Sequence, residues 1–350
     1  MAYIHLFQTV NEFNSARTPD NYVEPWLSYT KETSGLSYNK TEEEKRQELL
    51  ETPITFIAQE DGTFKFSGST TANTIQYSLD NGTTWNNLAH DTNTPTVSSG
   101  SSIMFKGSNL IPQYDGNGKF ISSGSFDAEG NIMSLIYGDN FSEQTTLSSA
   151  STFYNLFNGC TGLTSAENLV LPATTLKDNC YYQMFRGCSS LTSAPELPAT
   201  TLAGYCYMNM FSGCTSLTTA PELPATTLTN TCYQSMFAGC TSLVNAPELP
   251  ATTLANHCYQ SMFAGCTSLV NAPALPATTL TDFCYQNMFK GCTSLSAVTC
   301  LASDISAFNC TSSWLQNVSP TGTFIKNPSM TGWTTGENGI PQGWTVQDAS

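Results

Sequence analysis

The sequence predicts a mainly β protein with short helices, in which a solenoid of 26-residue units follows a small β-sandwich. Two observations predict the solenoid: one phrase recurs in strict register between 171 and 300, and cysteine and Met-Phe pairs recur at the same positions of each copy. A third observation predicts the sandwich: strand-length runs of alternating hydrophobicity precede the repeats. A repeat of this length indicates units that bury their apolar faces against one another.

The repeat region extends over residues 152–315. Five copies open at Leu171, Leu197, Leu223, Leu249 and Leu275. Two cysteine columns follow the same period, the first from Cys180 to Cys310 and the second from Cys188 to Cys292. Degenerate units at 152–176 and around Trp314 extend the pattern at both ends, as expected for units that cover the ends of a stack.

Each copy is predicted to contain two extended segments and one short helix. Cys180, Met184 and Cys188 are spaced i, i+4, i+8, which is one stripe of a helix, and Tyr181 and Phe185 form the adjacent stripe. The short segments rich in Thr and broken by Pro suit brief strands. In the middle of the stack, we expect the Phe237 ring to lie between those of Phe211 and Phe263, its equivalents in the preceding and following copies.

The phrase MFxGCTSLxxAPxLP resembles the leucine-rich repeats of the BspA-like surface proteins, in which AFxGCxSLxxIxIP recurs. The resemblance covers about 152–315 and implies a leucine-rich-repeat-type solenoid that acts as an adhesive or interaction scaffold. The unit here is longer, and Ala-Pro-Glu replaces an aliphatic pattern. The direction of the Glu196, Glu222 and Glu248 side chains is therefore left open.

All 13 cysteines lie between 160 and 310, and we interpret them as free, buried thiols. Cys180 and Cys188 would lie about 12 Å apart along a helix, and equivalent cysteines of neighbouring copies about 8–10 Å apart; both distances are too long for a disulfide. No C-x₂₋₄-C pair indicates zinc.

Residues 1–50 are predicted to be an attachment segment. Thr9–Glu12 and Thr41–Glu44 fit the capping-box pattern and predict two short helices. The aromatic stretch between them is too short for a core of its own. It must pack on a neighbour, either in this chain or in another protein. We favour Trp26 and Tyr29 as its anchors on a partner.

Residues 51–110 are predicted to form the sandwich, which resembles the immunoglobulin-like modules of bacterial and phage surface proteins. Four strand-like runs occur here, and Asp80-Asn81-Gly82 predicts a hairpin. Trp85 is interpreted as a packing residue rather than a ligand platform.

Residues 111–151 are predicted to be a bridge and N-terminal cap containing a hairpin over 118–138. Residues 316–350 are predicted to be a C-terminal cap, with Trp333 and Trp344 covering the last copy.

Composition excludes several function classes. The net charge of −15 disfavours nucleic acid and anionic membranes as partners, and no apolar run is long enough to span a membrane. The start MAYIHLFQTVNEF has no basic region and no apolar core, so no secretory signal is expected. The protein is then expected to stay in the cytosol or to leave the cell by lysis.

Virion proteins of crAss-like phages of gut bacteria resemble this chain in layout. The phrases EPWLSYTKETSGLSYNK, GNIMSLIYGDNF and GIPQGWTV, together with the repeats, carry the resemblance. It implies a virion surface protein of the fibre, decoration or receptor-binding type, assembled in the host cytoplasm and joined to other virion proteins through its N-terminal segment. Its solenoid would adhere to a host surface protein or glycan. A bacterial cell-surface adhesin of the BspA-like class is the alternative, and a homo-oligomer is left open.

No catalytic, cofactor-binding or metal-ligating constellation is predicted, and an enzyme is not expected. Because most repeat positions are invariant, selectivity should reside where the copies differ. The predicted ligand-binding residues are Tyr205, Thr231, His257 and Phe283, which share a repeat position with Asn179. A second variable set is Thr192, Thr218, Val244 and Val270. Free drift on a solvated face is an equally good reading of both sets.

Overall fold

The computed structural model describes residues 40–67, 74–108 and 118–350. The chain divides into two compact units, 1–45 and 46–350. The described part is mainly β, as predicted, with two short α-helices, α1 (Glu42–Glu51) and α2 (Ser134–Tyr137), and a 3-10 turn at Gly138–Asn140. The strands are β1 (Thr55–Ala58), β2 (Phe64–Ser67), β3 (Thr74–Ser78), β4 (Asn86–Leu88), β5 (Ser102–Ser108), β6 (Lys119–Ser122), β7 (Phe126–Asn131), β8 (Leu163–Ser165), β9 (Leu169–Val170), β10 (Ala297–Cys300), β11 (Thr323–Lys326) and β12 (Thr345–Asp348).

Helix α1 begins where the capping-box pattern predicted. The Thr41 hydroxyl accepts a hydrogen bond from the Glu44 N–H at 3.2 Å, and the Glu44 carboxylate accepts one from the Thr41 N–H at 2.8 Å. These reciprocal bonds satisfy two N–H groups that a helix start leaves without partners. The other predicted capping box, at Thr9, lies outside the described residues.

The four predicted strands before residue 110 all form. They belong to a seven-stranded sheet ordered β4-β3-β5-β1-β7-β8, with β9 also paired to β7, and to a second sheet of β2 and β6. The Phe56 ring lies between the two sheets, 5.3 Å from the Phe64 ring and 5.0 Å from the Phe120 ring. Asn81 and Gly82 have positive φ at the predicted hairpin between β3 and β4. Trp85 is half-buried, and Lys106 Nζ lies 4.2 Å from its ring, so it packs as expected.

The hairpin predicted over 118–138 is wrong. Its two strands join different sheets: β6 pairs with β2, whereas β7 pairs with β1 on one edge and with β8 and β9 on the other. The phenylalanines of β6 and β7 are buried in the shared core, and this burial draws the strands to opposite layers. Consequently the seven-stranded sheet runs directly into the first repeat unit. The sequence-based boundaries at 110 and 151 stay predictions.

The 26-residue copies stack on one another in sequence order. Single parallel β-bridges join equivalent residues of neighbouring copies along the line Ser165, Ser193, Thr219, Asn245, Asn271 and Ala297. Strands β10, β11 and β12 continue this line as a parallel three-stranded sheet. We call residues 152–315 the repeat stack.

The predicted short helix in each copy is wrong. The segment forms consecutive turns, in which every fourth residue has a positive φ; in one copy these are Thr231 (63°), Ser235 (53°) and Gly239 (76°). The N–H groups of these residues donate to carbonyls of the next copy, as Ser235 does to Gln260 at 2.8 Å. An α-helix would keep its N–H groups within the segment. Here they tie each copy to the next, while the predicted apolar stripes remain buried.

Columns of stacked rings fill the repeat stack. Phe237 lies between Phe211 and Phe263 with ring centroids 5.6 Å from each, as predicted, and it is fully buried. Tyrosines form a parallel column from Tyr181 to Tyr285. Stacked rings at this spacing add to the free energy of burial.

All thirteen cysteines are free and buried, as predicted, although the distance argument between copies was wrong. Equivalent rings of neighbouring copies lie 5.4–6.2 Å apart, closer than packed helices, because direct backbone hydrogen bonds join the copies. The thiols of the second cysteine column, from Cys188 to Cys292, act as hydrogen-bond donors. For example, Cys240 Sγ donates to the Phe211 carbonyl at 3.1 Å.

The C-terminal residues cover the last copy. The Trp314 ring stacks on Tyr285 at 6.3 Å, and Trp333 stacks on Trp314 at 5.4 Å. The Trp344 Nε1–H donates to the Ser319 carbonyl at 2.8 Å, and its ring is buried. Both tryptophans therefore lie where the sequence predicted a cover.

Candidate ligand-binding face

The predicted ligand-binding residues lie one above another on the repeat stack. We call Asn179, Tyr205, Thr231, His257 and Phe283 the variable column. The N–H of each member donates to a carbonyl of the next copy, at 2.9–3.2 Å. The backbone of the column is therefore fixed by the repeat, whereas the side chains are free to differ.

Every member of the variable column has a left-handed backbone, with φ between 57° and 63°. Asn and Gly adopt this conformation at low cost, and bulky or β-branched residues rarely do so. Asn179 fits this preference, and so does Asn309 at the same position of the next degenerate unit. His257 is also of a residue type enriched in this region, whereas Tyr205, Thr231 and Phe283 are not. Their side chains are present against the local backbone preference, which points to a role for the side chains themselves.

The neighbouring left-handed column shows the contrast. Its members also have positive φ, between 52° and 56°, and they are Gln183, Asn209, Ser235, Ser261, Asn287 and Ser313. These are mostly small polar residues that suit such turns. The bulky residues of the variable column are therefore not demanded by the turn.

The structure brings two of the four predicted residues together. The rings of His257 and Phe283 are parallel, with centroids 4.5 Å apart, and both side chains are half-buried. Tyr205 is 47% exposed, but Thr231, which separates it from His257, is only 6% exposed. Thr231 therefore offers little surface to a ligand, and Tyr205 stands apart from the other rings.

Sequence reasoning missed Phe308, which completes this aromatic surface. Its ring lies 5.1 Å from that of Phe283 at an interplanar angle of 82°, and it is 63% exposed. The residue precedes Asn309, the formal continuation of the variable column, so the repeat register did not select it. We call His257, Phe283 and Phe308 the aromatic corner.

A second column, also missed, runs beside the first. It contains Tyr154, Tyr182, Met208, Gln234, Gln260 and Gln286, all half-buried. The His257 Nδ1 and the Gln260 Oε1 are 2.9 Å apart, and the Gln260 Nε2 donates to the Gln286 Oε1 at 2.5 Å. At the other end of the column, the Tyr154 and Tyr182 rings stack 4.6 Å apart. The sequence could have indicated this second column, because its members lie three residues after those of the variable column.

Two other exposed surfaces were considered from the sequence. In the second variable set, Val244 and Val270 are 46% and 41% exposed, and they occupy equivalent positions of neighbouring copies without an aromatic ring in the set. The Glu196, Glu222 and Glu248 side chains point outward, and Arg46 forms an ion pair with Glu196. Glu222 and Glu248 line a shallow groove with Pro224, Pro247 and Pro250.

The acidic pair Asp127 and Glu129 lies on strand β7. Asp127 accepts hydrogen bonds from Gln59 at 2.8 Å and Thr164 at 2.5 Å. Glu129 is half-buried, and burial raises the pKa of its carboxyl, with further contributions from the nearby charges of Glu48 and Asp127. Asp127 is therefore held by hydrogen bonds and Glu129 is partly buried, so both residues belong to the packing of strand β7.

Trp26 and Tyr29, the predicted attachment residues, lie outside the described residues. Within the described ranges, no group of three or more His, Cys, Asp or Glu residues is placed to hold a metal ion. Nor do these ranges contain a helix with the length and apolar character needed to cross a bilayer.

Comparisons with known proteins assign no family. The chain matches no protein-family model, and neither the curated proteins nor the solved structures show a significant similarity to it.

Proposed function

We propose that this chain is a surface protein of a phage particle and that its repeat stack adheres to a ligand on the host cell surface. In this proposal the stack is a leucine-rich-repeat-type solenoid, and the sheets before it form an immunoglobulin-like β-sandwich that serves as a spacer. The protein is a binding protein and not an enzyme, without cofactors. It is assembled in the host cytoplasm and carried on the virion.

The variable column is the observation that carries the adhesive part of the proposal. An invariant backbone displays side chains that differ between copies and that oppose the local conformational preference. Repeat scaffolds use such displays for binding, because the surface can change without a change in the core. The large number of Ser, Thr, Asn and Gln side chains and the low charged fraction of 11% suit an uncharged host ligand.

Attachment to the particle is proposed for residues 1–50, with Trp26 and Tyr29 as anchors on another virion protein. Aromatic side chains of this kind form the centres of many protein interfaces. If the proposal is right, Trp26→Ala with Tyr29→Ala in the full chain should leave the melting temperature unchanged but should abolish incorporation into particles purified after infection. Normal incorporation of this variant would show that another region holds the chain.

A bacterial cell-surface adhesin is the second candidate, favoured by the resemblance of the repeat phrase to BspA-like proteins. The neighbouring genes discriminate between the two. Capsid and tail genes nearby favour the virion protein, and an outer-membrane or secretion locus favours the adhesin.

Adsorption of particles to host cells tests the proposed ligand face. Particles that carry Tyr205→Ser together with Phe283→Ser should adsorb at least ten-fold more slowly than the parent. Particles carrying Val346→Ser provide the matched control, since Val346 is an exposed apolar residue on β12, away from the variable column. Unchanged adsorption of the double variant would refute this ligand face.

A further inference from the structure

We infer that the aromatic corner, with Gln260 and Gln286 beside it, is a binding site for a neutral carbohydrate chain. This inference names the ligand class of the face proposed above and therefore rests on that proposed function. Three features of the site carry it: the arrangement of the rings, the direction of the hydrogen bonds and the neutrality of the binding groups.

The rings offer two perpendicular apolar walls. Phe283 and Phe308 meet at 82° with their centroids 5.1 Å apart, and His257 covers one face of Phe283 by stacking on it, so the most open ring of the corner is Phe308. Phe308 is 63% exposed and is contiguous with the half-buried rings of Phe283 and His257, and adjoining exposed apolar groups of this kind mark binding sites. The C–H faces of a pyranose ring pack against aromatic faces of this kind, which hold an amphipathic ring while its edges stay polar.

Hydrogen bonding at the site is available in both directions. The Gln260 Oε1 can only accept, so the His257 Nδ1 donates to it across 2.9 Å, and the Nε2 of the neutral ring is left as an acceptor. The Gln260 Nε2 donates to the Gln286 Oε1, so the Gln286 Nε2 ends the chain as a donor with no further partner among the described residues. A hydroxyl group both donates and accepts, and it can pair with either end.

The variable column and the second column beside it contain no carboxylate, lysine or arginine side chain. Within the variable column and the second column beside it, the side chains are aromatic, amide, hydroxyl, thioether and imidazole groups. The carboxylate of Asp282, next to Phe283 in the chain, accepts the Phe308 N–H at 2.9 Å and serves to hold the corner together. An anionic ligand finds no lysine or arginine among these side chains that could replace its hydration.

The spacing of the copies favours a polymer over a single sugar. Equivalent rings of neighbouring copies lie 5.4–6.2 Å apart in the buried columns and 4.5–4.6 Å apart on this face, distances comparable to one pyranose unit in an extended chain. A glycan that enters at the aromatic corner can run along the stack past Gln260 and Gln234. Successive units would then meet equivalent positions of successive copies.

A glycan array tests the inference with the purified full-length chain. The probes are immobilised neutral capsular polysaccharides and neutral oligosaccharides from bacterial surfaces, together with acidic polysaccharides and host outer-membrane proteins. Binding to one or more neutral glycans is expected. In the variant Phe283→Asn with Phe308→Ser, that binding should fall at least ten-fold; Asn is used because the same position carries Asn179 with a similar φ. Gln286→Leu should weaken it several-fold, and Leu79→Ala, an exposed apolar residue elsewhere, should not change it.

The outcomes separate this inference from the proposed function. Binding of outer-membrane proteins alone, or of acidic polysaccharides alone, would overturn the carbohydrate assignment while leaving adhesion intact. No loss of neutral-glycan binding in the Phe283→Asn, Phe308→Ser variant would overturn the assignment of this corner. Neutral-glycan binding by a chain that is absent from particles would support the site and contradict the virion proposal.

Discussion

The Phe237 ring lies parallel to the Phe211 ring, with centroids 5.6 Å apart and an interplanar angle of 5°. Because Phe263 stacks on its other face in the same way, removal of the Phe237 ring leaves a cavity between two flat walls that the backbone ladder holds apart. Phe237→Ala should therefore reduce the free energy of unfolding by about 3–5 kcal/mol.

Denaturant titration measures this change. The control is Val244→Ala, which truncates an exposed side chain and should change stability by less than about 0.5 kcal/mol. A loss of less than about 1 kcal/mol for Phe237→Ala would mean that the ring column does not support the stack.

The cysteines are predicted to be free and slow to react in the folded protein. Burial raises the pKa of Cys232 and Cys240 to about 12, so almost no thiolate is present at neutral pH. Intact mass should be the same before and after reduction, corresponding to 13 thiols. A bulky thiol reagent should label them only when denaturant unfolds the chain. A mass increase of several pairs of hydrogens upon reduction of the native protein would contradict this prediction.

Two glycines with similar backbone angles should respond differently to the same substitution. Gly130 and Gly100 have φ of 80° and 78°. A Cβ added at Gly130 would collide with the Pro53 carbonyl and lie 2.9 Å from that of Thr52, whereas at Gly100 it would meet nothing within 4 Å. Gly100→Ala should cost about 1 kcal/mol for the left-handed backbone alone.

Gly130→Ala should cost at least about 2 kcal/mol more, because strand β7 must then move away from Pro53. Thermal melting of both variants measures the difference. Equal melting temperatures for the two variants would show that β7 does not pack closely against the segment that precedes β1.

The stability of the chain should depend on the ionisation of Glu129. Burial, together with Glu48 and Asp127, raises the pKa of this carboxyl above its ordinary value of 4.5. A raised pKa in the folded state means that the folded chain prefers the protonated form, so this contribution is fully present below pH 4.5 and is lost as the pH rises through the folded-state value. Glu129→Gln should therefore raise the melting temperature at pH 7.

Well below pH 4.5, the advantage of Glu129→Gln should disappear, because the wild-type carboxyl is then protonated in both states. Glu143→Gln, at an exposed position, is the control and should have no effect at either pH. A melting temperature that falls at pH 7 in the Glu129 variant would contradict the sign of this argument.

The sequence was sufficient for the period, the buried columns and the capping box of α1, because each depends on spacing or on local chemistry. It was not sufficient for the conformation between Asn179 and Gly187. Burial of Cys180, Met184 and Cys188 is compatible both with a helix and with turns that donate hydrogen bonds to the next copy. Only the partner of each N–H decides between them, and that partner lies a whole copy away in the chain.

The candidate site was predicted in part for a similar reason. Variation among copies selected His257 and Phe283, whose rings the structure stacks together, but it could not show that Thr231 is buried between Tyr205 and His257. Phe308 escaped selection because it lies one residue outside the register. The amide chain through Gln260 depends on side-chain directions that spacing does not specify.

Immunogold electron microscopy is the measurement that bears most directly on the proposed location of the chain on the surface of a phage particle. Antibodies against the full chain would be applied to intact particles purified by density gradient from a lysed culture that encodes it, with particles lacking the gene as the control. We expect gold labelling on the surface of intact particles and none on the control. Label confined to the bacterial envelope, with unlabelled particles, would contradict it.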